Sequence, residues 1–409
     1  MKAISVLRGI ALAGAAYFAL ACGDDCKKCE ECDDGAGGAA GAENAPPGCE
    51  GDIQFDDPEL EEQVKFAIGV VDEEASVRYR DVDELEELNI SCTWCIDDLT
   101  GIECLQALTS LTMSHNYVRD LSPLLGLTSL EQLDLRWNEI SEVGPLSDLT
   151  AMTRLVLTKN GISDVSALAA LTELTELELQ NNEISDLSPI GSAVNLTTLR
   201  ASHNTIAEVS ALSALTSLEV LDLEDNAITD VTALEGLTAL TELRLGTNLI
   251  EDLSPLAGLT QLTDLRLNVN GVTAVTALEG LTALVTLHLA DNEITDITAL
   301  QGLTALIDLD LGGNNITDIG PLAGLTALES LGLSSNAIES IDAVSGLNAL
   351  TVLELQDNAI LDLAPLETNA ELAEGDTVDV TNNPFDCIEN QALIQRLESR
   401  GLDLSTSCL

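Results

Sequence analysis

Asparagine recurs in this chain at a constant interval of 22 residues. It occupies positions 116, 138, 160, 182, 204, 226, 248, 270, 292, 314, 336 and 358. Leucine nearly always stands eight, five and three residues before this asparagine, and isoleucine or valine usually stands two residues after it. Self-similarity at such a period is typical of stacked, near-identical coils rather than of independent domains. We therefore predict one elongated solenoid over most of the 409 residues.

Each column of the repeat has a predicted structural role. In the Leu-x-Leu segment both leucines point inward from a short strand, and the residue between them points outward. Strands of successive coils should pair in parallel, about 4.8 Å apart. The asparagine side chain can bond backbone groups of adjacent coils, which satisfies polar atoms that would otherwise be buried without partners.

An acid stands four residues after ten of the twelve asparagines, shortly before Ser-Pro-Leu or Ser/Thr-Ala-Leu. We expect the serine or threonine to cap a short helical turn, in which proline suits the first position. A ladder of acids could alternatively bind calcium, although turn chemistry explains the pattern more simply.

The recurring L-x-x-L-x-L-x-x-N-x-I-x-D-L pattern resembles the 22-residue class of leucine-rich repeats found in bacterial internalins and related surface lipoproteins. The resemblance covers residues 83–387. It implies an α/β repeat fold, namely a right-handed solenoid with a parallel β-sheet on its concave side and short 3₁₀ helices or turns on its convex side. It also implies that the solenoid binds a partner protein, without identifying that partner.

The amino terminus has the features of an export signal over residues 1–21. Lys2 and Arg8 precede a short apolar run, which is typical of a secretory signal peptide. The cysteine at position 22 makes the segment resemble a bacterial lipoprotein signal, which implies cleavage before Cys22 and lipidation of that residue. Lipoproteins usually carry leucine three residues before the cysteine, and here that place is Ala19. We predict a lipid-anchored protein of the cell envelope, held at the membrane by its lipid only, with plain secretion as the alternative.

Residues 22–52 are rich in glycine, alanine and acids, a composition that predicts a tether. Cys26, Cys29 and Cys32 have C-x-x-C spacing and could ligate zinc. Disulfides are the default in the oxidising compartment of an exported chain. We therefore predict no metal and no other cofactor, and the pairing of Cys49 stays open.

Both ends of the solenoid need covers, because terminal coils would otherwise expose core leucines. Residues 53–107 are predicted to form a helical amino-terminal cap that begins at Asp57-Pro58 and an imperfect first repeat. Twelve repeats follow over residues 108–371, and residues 372–409 form a final strand and a helical carboxyl-terminal cap.

Two structural disulfides are expected in these caps. The Asn383-Pro384-Phe385-Asp386-Cys387 segment resembles a carboxyl cap, and we expect Cys387 to pair with Cys408. In the amino-terminal cap we expect Cys104 to pair with Cys92 or Cys95, without a choice between them.

Charge and motif content argue against several functions. The formal net charge is -54, with 70 acids against 16 Lys and Arg, so the chain should repel nucleic acid and anionic bilayers. Histidine occurs only at 115, 203 and 288, and His115 and His203 are four coils apart, roughly 19 Å. The sequence lacks H-E-x-x-H, G-x-S-x-G and Walker motifs. We predict that the protein is not an enzyme.

The cations are concentrated on the predicted concave face, whose positions lie six, four, two and one before each asparagine. Six of the seven Lys and Arg in residues 108–371 stand there, as do all three histidines and Trp137. Trp and Arg dominate the energetics of many interfaces, which favours a protein-binding role over mere surface variability. His115, Trp137 and Lys159 share one position in consecutive coils and should form a column. The predicted partner-binding residues are His115, Arg136, Trp137, Arg154, Lys159, Arg200, His203, Arg244, Arg266 and His288.

These features together predict a non-catalytic envelope protein, expected to be a monomer, that binds a partner protein through its concave face. The alternative is a structural envelope component that binds divalent cations or polysaccharide through its acidic surface.

Overall fold

The computed structural model describes residues 45–72, 74–90 and 94–408, and its strands form a single parallel sheet. The sheet has 15 strands in strict chain order, so each strand pairs only with its sequence neighbours. This topology confirms the predicted solenoid. The strands are β1 (Glu87–Asn89), β2 (Ser110–Thr112), β3 (Gln132–Asp134), β4 (Arg154–Val156), β5 (Glu176–Glu178), β6 (Thr198–Arg200), β7 (Val220–Asp222), β8 (Glu242–Arg244), β9 (Asp264–Arg266), β10 (Thr286–His288), β11 (Asp308–Asp310), β12 (Ser330–Gly332), β13 (Val352–Glu354), β14 (Thr377–Asp379) and β15 (Asp403–Ser405).

The register of the sheet follows the 22-residue period. Leu221 of β7 pairs with Leu243 of β8, and Leu243 pairs in turn with Leu265 of β9. All three leucines are fully buried, and the same columns form one continuous aliphatic core through the molecule. Because each coil alone exposes its apolar side, the core exists only through stacking.

Twelve short 3₁₀ helices lie on the side of the solenoid opposite the sheet, one in each coil from the first to the one that contains Asn336; the next coil has a short α-helix there, Ala364–Thr368. This confirms the predicted convex turns. Their bounds are Ile102–Cys104, Ser122–Leu124, Gly144–Leu146, Ser166–Ala170, Ser188–Ser192, Ser210–Ala214, Thr232–Leu234, Ser254–Gly258, Thr276–Leu278, Thr298–Gly302, Gly320–Gly324 and Asp342–Gly346.

The recurring asparagines link adjacent coils, as predicted. The Asn226 side-chain nitrogen donates to the carbonyl of Leu223 in its own coil at 3.0 Å and to that of Ala201 in the preceding coil at 3.1 Å. Its Oδ1 accepts from the backbone N–H of Ile206 at 2.9 Å. Each such side chain satisfies backbone groups of two coils that have no strand partner.

The residue that caps the 3₁₀ helices is the acid and not the serine or threonine, so that prediction was wrong. The Asp186 Oδ1 accepts from the backbone N–H of Ser188 at 2.7 Å, two residues on. Asp318 and Asp362 accept in the same way from residues without a hydroxyl, Gly320 and Ala364. A carboxylate at this place closes an Asx turn whatever follows it, which explains why the acid recurs.

The amino-terminal cap contains α1 (Pro58–Ala67) and α2 (Tyr79–Val82). Asp57 caps α1, as predicted, because its Oδ1 accepts from the N–H groups of Glu59 and Leu60. The Asp57 Oδ2 also accepts from the N–H of Asp97, so this buried carboxylate ties the helix to the first coil.

The carboxyl-terminal cap contains α3 (Ala364–Thr368) and α4 (Cys387–Ser399). Strand β15 follows α4 and extends the sheet by one strand beyond the predicted final coil. Leu397 of α4 is fully buried against the core, so the helix closes this end of the leucine columns.

Two disulfides that join pairs of described cysteines fasten the caps. Cys387 pairs with Cys408 as predicted. Cys104 pairs with Cys49, so the expectation of a bond to Cys92 or Cys95 was wrong. Cys95 is also disulfide-bonded. The tether predicted over residues 22–52 therefore does not include Cys49, which is buried against the cap together with Ile53.

Several sequence predictions fall on residues that the structure does not describe. The signal peptide, the lipidation site Cys22 and the cysteines at 26, 29 and 32 all lie there. In the part of the chain that is described, no helix is long and apolar enough to cross a membrane. The described residues also contain no group of three or more His, Cys, Asp or Glu side chains that could hold a metal ion.

Candidate functional site

The solvent side of the 15-stranded sheet, which we call the sheet face, presents four residues per coil. Within it, we call the residue directly before each asparagine the turn position, and we include Trp94, which has the same left-handed backbone one coil earlier, where Cys95 stands in place of the asparagine. Non-glycine residues at this position have φ between 53° and 61°, the left-handed region. Their N–H groups bond the next coil, as when Trp137 donates to the carbonyl of Thr158 and Lys159 to that of Gln180. The turn is therefore fixed by backbone hydrogen bonds between coils, whichever side chain it carries.

A left-handed backbone is costly for most side chains, by roughly 1–2 kcal/mol relative to glycine-like freedom. Asparagine, aspartate and histidine tolerate it best, and several turn positions carry them. Only Gly313 uses glycine among the turn positions of the twelve repeats, whereas Trp137 and Val269 place bulky or β-branched side chains there. Side chains are thus retained at positions where the backbone alone would favour glycine.

Four turn-position side chains at the amino-terminal end of the sheet form a continuous stack, which we call the aromatic column. The Trp94 ring meets the His115 ring edge-on at 6.1 Å between centroids. His115 lies nearly parallel to Trp137 at 5.4 Å, and the Lys159 Nζ lies 5.0 Å from the Trp137 ring centroid. Tyr117 flanks Trp94 at 5.4 Å. Trp94, Trp137 and Tyr117 nevertheless remain 40–48% exposed.

The structure brings together the three residues predicted to share a column, His115, Trp137 and Lys159. It adds Trp94, which sequence analysis missed because Trp94 lies 21 and not 22 residues before His115. A usable signal was present in the sequence. Trp94 and Trp137 are the only tryptophans of the chain, and their separation is close to two repeats of 22 residues.

The five predicted arginines lie on the sheet face, and acids of the same face pair with each of them. The Arg136 guanidinium contacts Asp134 at 2.7 Å, and Arg154 contacts Glu176 at 2.9 Å. The remaining three arginines continue this pattern along the sheet, with pairs at 3.6 Å (Arg200–Glu242), 2.9 Å (Arg244–Glu242) and 3.1 Å (Arg266–Asp264).

The other two predicted histidines are also paired with acids. The His203 Nδ1 lies 2.6 Å from Asp225, and the His288 Nε2 lies 2.8 Å from Asp308. Asp225 holds the same turn position as His203 in the next coil, whereas Asp308 holds a different strand position from His288, so the repeat spacing alone could not reveal both pairs.

The paired charged residues of the sheet face are partly buried, and several of them have shifted pKa values. Hydrogen bonding to Asp134 raises the pKa of Arg136, and hydrogen bonding to Asp264 raises that of Arg266. Burial raises the pKa of the Glu178 carboxyl, and a hydrogen bond with Glu176 adds to the effect against the attraction of Arg136 and Arg154. These arginines are therefore held in place by neighbours and are not open to form a bidentate clasp without rearrangement.

The histidines 115, 203 and 288 are each in different surroundings, and none lies beside a second histidine among the described residues. The sheet face presents an exposed aromatic stack beside a row of ion-paired side chains. Such a surface can bind another macromolecule by packing and hydrogen bonding.

Comparisons with known proteins agree with the repeat pattern. A family model described as Leucine Rich repeats (2 copies) matches residues 150–192, 172–214, 194–236, 216–258 and 304–346. Two further leucine-rich repeat models match residues 260–316 and 126–144. No curated protein sequence matches the chain.

Among solved structures, an internalin (inlF) from Listeria monocytogenes is 31% identical and superposes with a TM-score of 0.75, covering 81% of this chain and 96% of that one. InlJ from the same organism is 26% identical, with a TM-score of 0.61 and coverages of 80% and 81%. A leucine-rich repeat protein of Leptospira interrogans, 21% identical with a TM-score of 0.64, covers 80% of this chain and 97% of its own and shares the fold.

Proposed function

Because this chain belongs to the leucine-rich repeat family, in its internalin-like form, we propose that it binds a partner protein through the sheet face, with the aromatic column as the anchor. Leucine-rich repeat proteins typically mediate protein–protein binding, and their solenoid is an interaction scaffold rather than an enzyme fold. The partner and the surface used are the parts that we propose.

The aromatic column is the observation that carries this proposal. Trp137 is stacked on His115 and lies beside the Lys159 ammonium, yet 41% of it is exposed. A side chain that is already held by its neighbours loses little conformational entropy when a partner covers it. Tryptophan in such a place is the residue type that most often dominates interface energetics.

Backbone strain supports the same conclusion. Trp94 and Trp137 both occupy left-handed turn positions, where Gly313 shows that glycine can serve. The solenoid would be at least as stable with a small residue there, so these rings are better explained by binding than by folding.

The two disulfides support export, since such bonds persist mainly in oxidising compartments. We therefore propose display from a bacterial envelope, with the lipid anchor at Cys22 as the finer hypothesis. Mass spectrometry of the mature amino terminus tests it: a diacylglyceryl cysteine at position 22 is expected, and an unmodified one would favour plain secretion.

Among the described residues, no contact favours the alternative role of the acidic surface in binding divalent cations or polysaccharide. The most regular acids, such as Asp186 and Asp252, already accept hydrogen bonds from the turns that they cap. This use of the carboxylates accounts for their periodicity.

The experiment is affinity capture from the native envelope with the full mature chain. Trp137→Asn removes the anchor but keeps a residue suited to the left-handed turn. Val269→Asn is the matched control, since Val269 has the same backbone conformation and is 43% exposed, six coils away. We expect Trp137→Asn to weaken the binding of a purified partner by about 2 kcal/mol or more, which raises the dissociation constant roughly 30-fold. The control should leave the dissociation constant unchanged. Equal binding by both variants would refute the proposal.

A further inference from the structure

Lys159 stands out in a protein with 70 acids and 16 cations, because it has no acid partner. Of the lysines and arginines in residues 45–72, 74–90 and 94–408, it is the one whose side chain makes neither an ion pair nor a hydrogen bond to the protein; its side chain contacts the Trp137 ring instead. Even Arg119, which is far more exposed than the sheet-face arginines, pairs with Glu139. Arg400, at the carboxyl end of α4, donates from its side chain to the carbonyls of Glu367 and Asn369.

The next coil explains why Lys159 has no partner. His203, at the same turn position two coils further on, is paired with Asp225 at the turn position of the following coil. The residue in the equivalent place beside Lys159 is Asn181. An acid would be tolerated by this backbone, as Asp225 itself demonstrates. Lys159 therefore has an uncharged amide at the place where His203 has a carboxylate.

The ammonium of Lys159 is in contact with the rest of the aromatic column. Its Nζ lies 5.0 Å from the Trp137 ring centroid, within the range of a cation–π contact. The Trp137 ring and the His115 stacked on it lie on the amino-terminal side of Lys159, and the Lys159 residue as a whole is exposed to solvent. When a partner covers this surface, water is excluded and a charge opposite Lys159 is attracted much more strongly than in bulk solvent.

We infer that Lys159 is an anion-recognition point, which binds a carboxylate of the partner protein while an adjacent apolar side chain of that partner packs on Trp94 and Trp137. This inference rests on the proposed function and names the chemistry of the occupant. Charge complementarity argues for it: the one cation of the sheet face that lacks an acid of its own lies in the aromatic column. A partner lacking a carboxylate would leave a desolvated ammonium unpaired, which is unfavourable.

The first test uses the two tryptophans, which both lie in the column, so that intrinsic fluorescence reports on this site alone. Quenching by iodide and by caesium is compared at constant ionic strength in the full mature chain. We expect Lys159→Gln to lower the ratio of the iodide to the caesium quenching constant by about twofold or more, since the ammonium lies 5.0 Å from the Trp137 ring centroid and a unit charge so near changes the local concentrations of both ions. Lys159→Arg should keep the wild-type ratio.

The matched control is Arg266→Gln, which removes the same charge from the same face five coils away, roughly 24 Å at the strand spacing. That distance exceeds the Debye length of about 8 Å at physiological salt, so its ratio should equal that of the wild type. A ratio unchanged by Lys159→Gln, or changed equally by Arg266→Gln, would overturn the inference.

The second test measures binding of two short peptides, acetyl-Leu-Asp-Leu-amide and acetyl-Leu-Asn-Leu-amide, by tryptophan fluorescence. They differ only in carboxylate against amide. We expect the aspartate peptide to bind several-fold more tightly to the wild type, and Lys159→Gln to remove that preference. Equal binding of both peptides by the wild type would contradict the inference.

The two proposals can fail separately. If Trp137→Asn abolishes capture of the partner while the peptides bind alike, the protein-binding function stands and the carboxylate inference is wrong. If Trp137→Asn leaves capture unchanged, the proposed function fails whatever the peptides do.

Discussion

The asparagine ladder is the residue-scale feature on which the stacking of coils depends. Asn314 is buried and donates to the carbonyls of Leu289 and Leu311, while its Oδ1 accepts from the N–H of Ile294. Removing the side chain would leave these backbone groups buried without partners, and each such group costs about 1–3 kcal/mol.

Asn314 and Asn315 provide an adjacent pair for testing the ladder. We expect Asn314→Ala to lower the free energy of unfolding by about 3 kcal/mol in urea titrations, because it deprives several backbone groups of their partners at once. Asn315 is exposed, and Asn315→Ala should stay within about 0.5 kcal/mol of the wild type. Similar losses in both variants would show that the ladder bonds do not hold the coils.

The turn positions lead to a second residue-scale prediction. Val269 is β-branched, has φ of 56° and is 43% exposed, so it contributes strain without much burial. Val269→Asn should raise the free energy of unfolding by about 1 kcal/mol, since asparagine tolerates the left-handed region. A decrease measured by calorimetry would mean that the valine packs usefully and that strain is not the dominant effect.

At the scale of elements, the Asx turns couple the 3₁₀ helices to pH. Hydrogen bonds from the Ser188 N–H and hydroxyl lower the pKa of the Asp186 carboxyl below its usual value of 3.8. The aspartates of four other coils have a lowered pKa for the same reason, with Ser or Thr as the donor (Asp120, Asp230, Asp252 and Asp296).

A lowered pKa means that the folded state binds fewer protons than the unfolded chain in the acidic range. Each turn therefore contributes stability that is present above pH 3.8 and is lost as the pH falls through the lower folded pKa. Asp186→Asn keeps an oxygen that can accept from Ser188 but cannot titrate. Its unfolding free energy should vary less steeply between pH 2 and 4 than that of the wild type. A slope unaltered by Asp186→Asn would contradict this account.

The elements also show how far the sequence could be interpreted. The 22-residue period predicts the strands, their register, the inward leucines and the His115–Trp137–Lys159 column, because a strict repeat leaves one way to stack identical coils. It could not predict contacts between different positions of the repeat, such as His288 with Asp308. The Cys49–Cys104 bond was missed for a related reason: it joins a non-repeating segment to the first coil, where periodicity carries no information.

At the scale of the whole molecule, the dominant property is a net charge of -54 on a scaffold with an aliphatic core. Self-repulsion destabilises a compact state and is reduced by salt. The two caps and the hydrogen bonds of the sheet hold the coils together despite this repulsion. The ion pairs on the sheet face reduce the repulsion locally.

We therefore expect the melting temperature to rise as sodium chloride is raised from 10 to about 150 mM, because the Debye length falls from about 30 to 8 Å. Calcium chloride at matched ionic strength should give the same rise, since the described residues contain no ready group of metal ligands. A rise several degrees larger in calcium would favour the alternative role as a cation-binding envelope component.

Site-specific photocrosslinking tests most directly whether the amino-terminal part of the sheet face is the binding surface. A photoreactive phenylalanine analogue would replace His115 or Trp137 in the aromatic column, or else Leu125 or Val194, which are about half exposed and lie just beyond 3₁₀ helices on the opposite side. We predict that positions 115 and 137 crosslink to the same partner protein and that positions 125 and 194 do not. Crosslinks from 125 and 194 alone would contradict the proposal that this solenoid binds through its sheet.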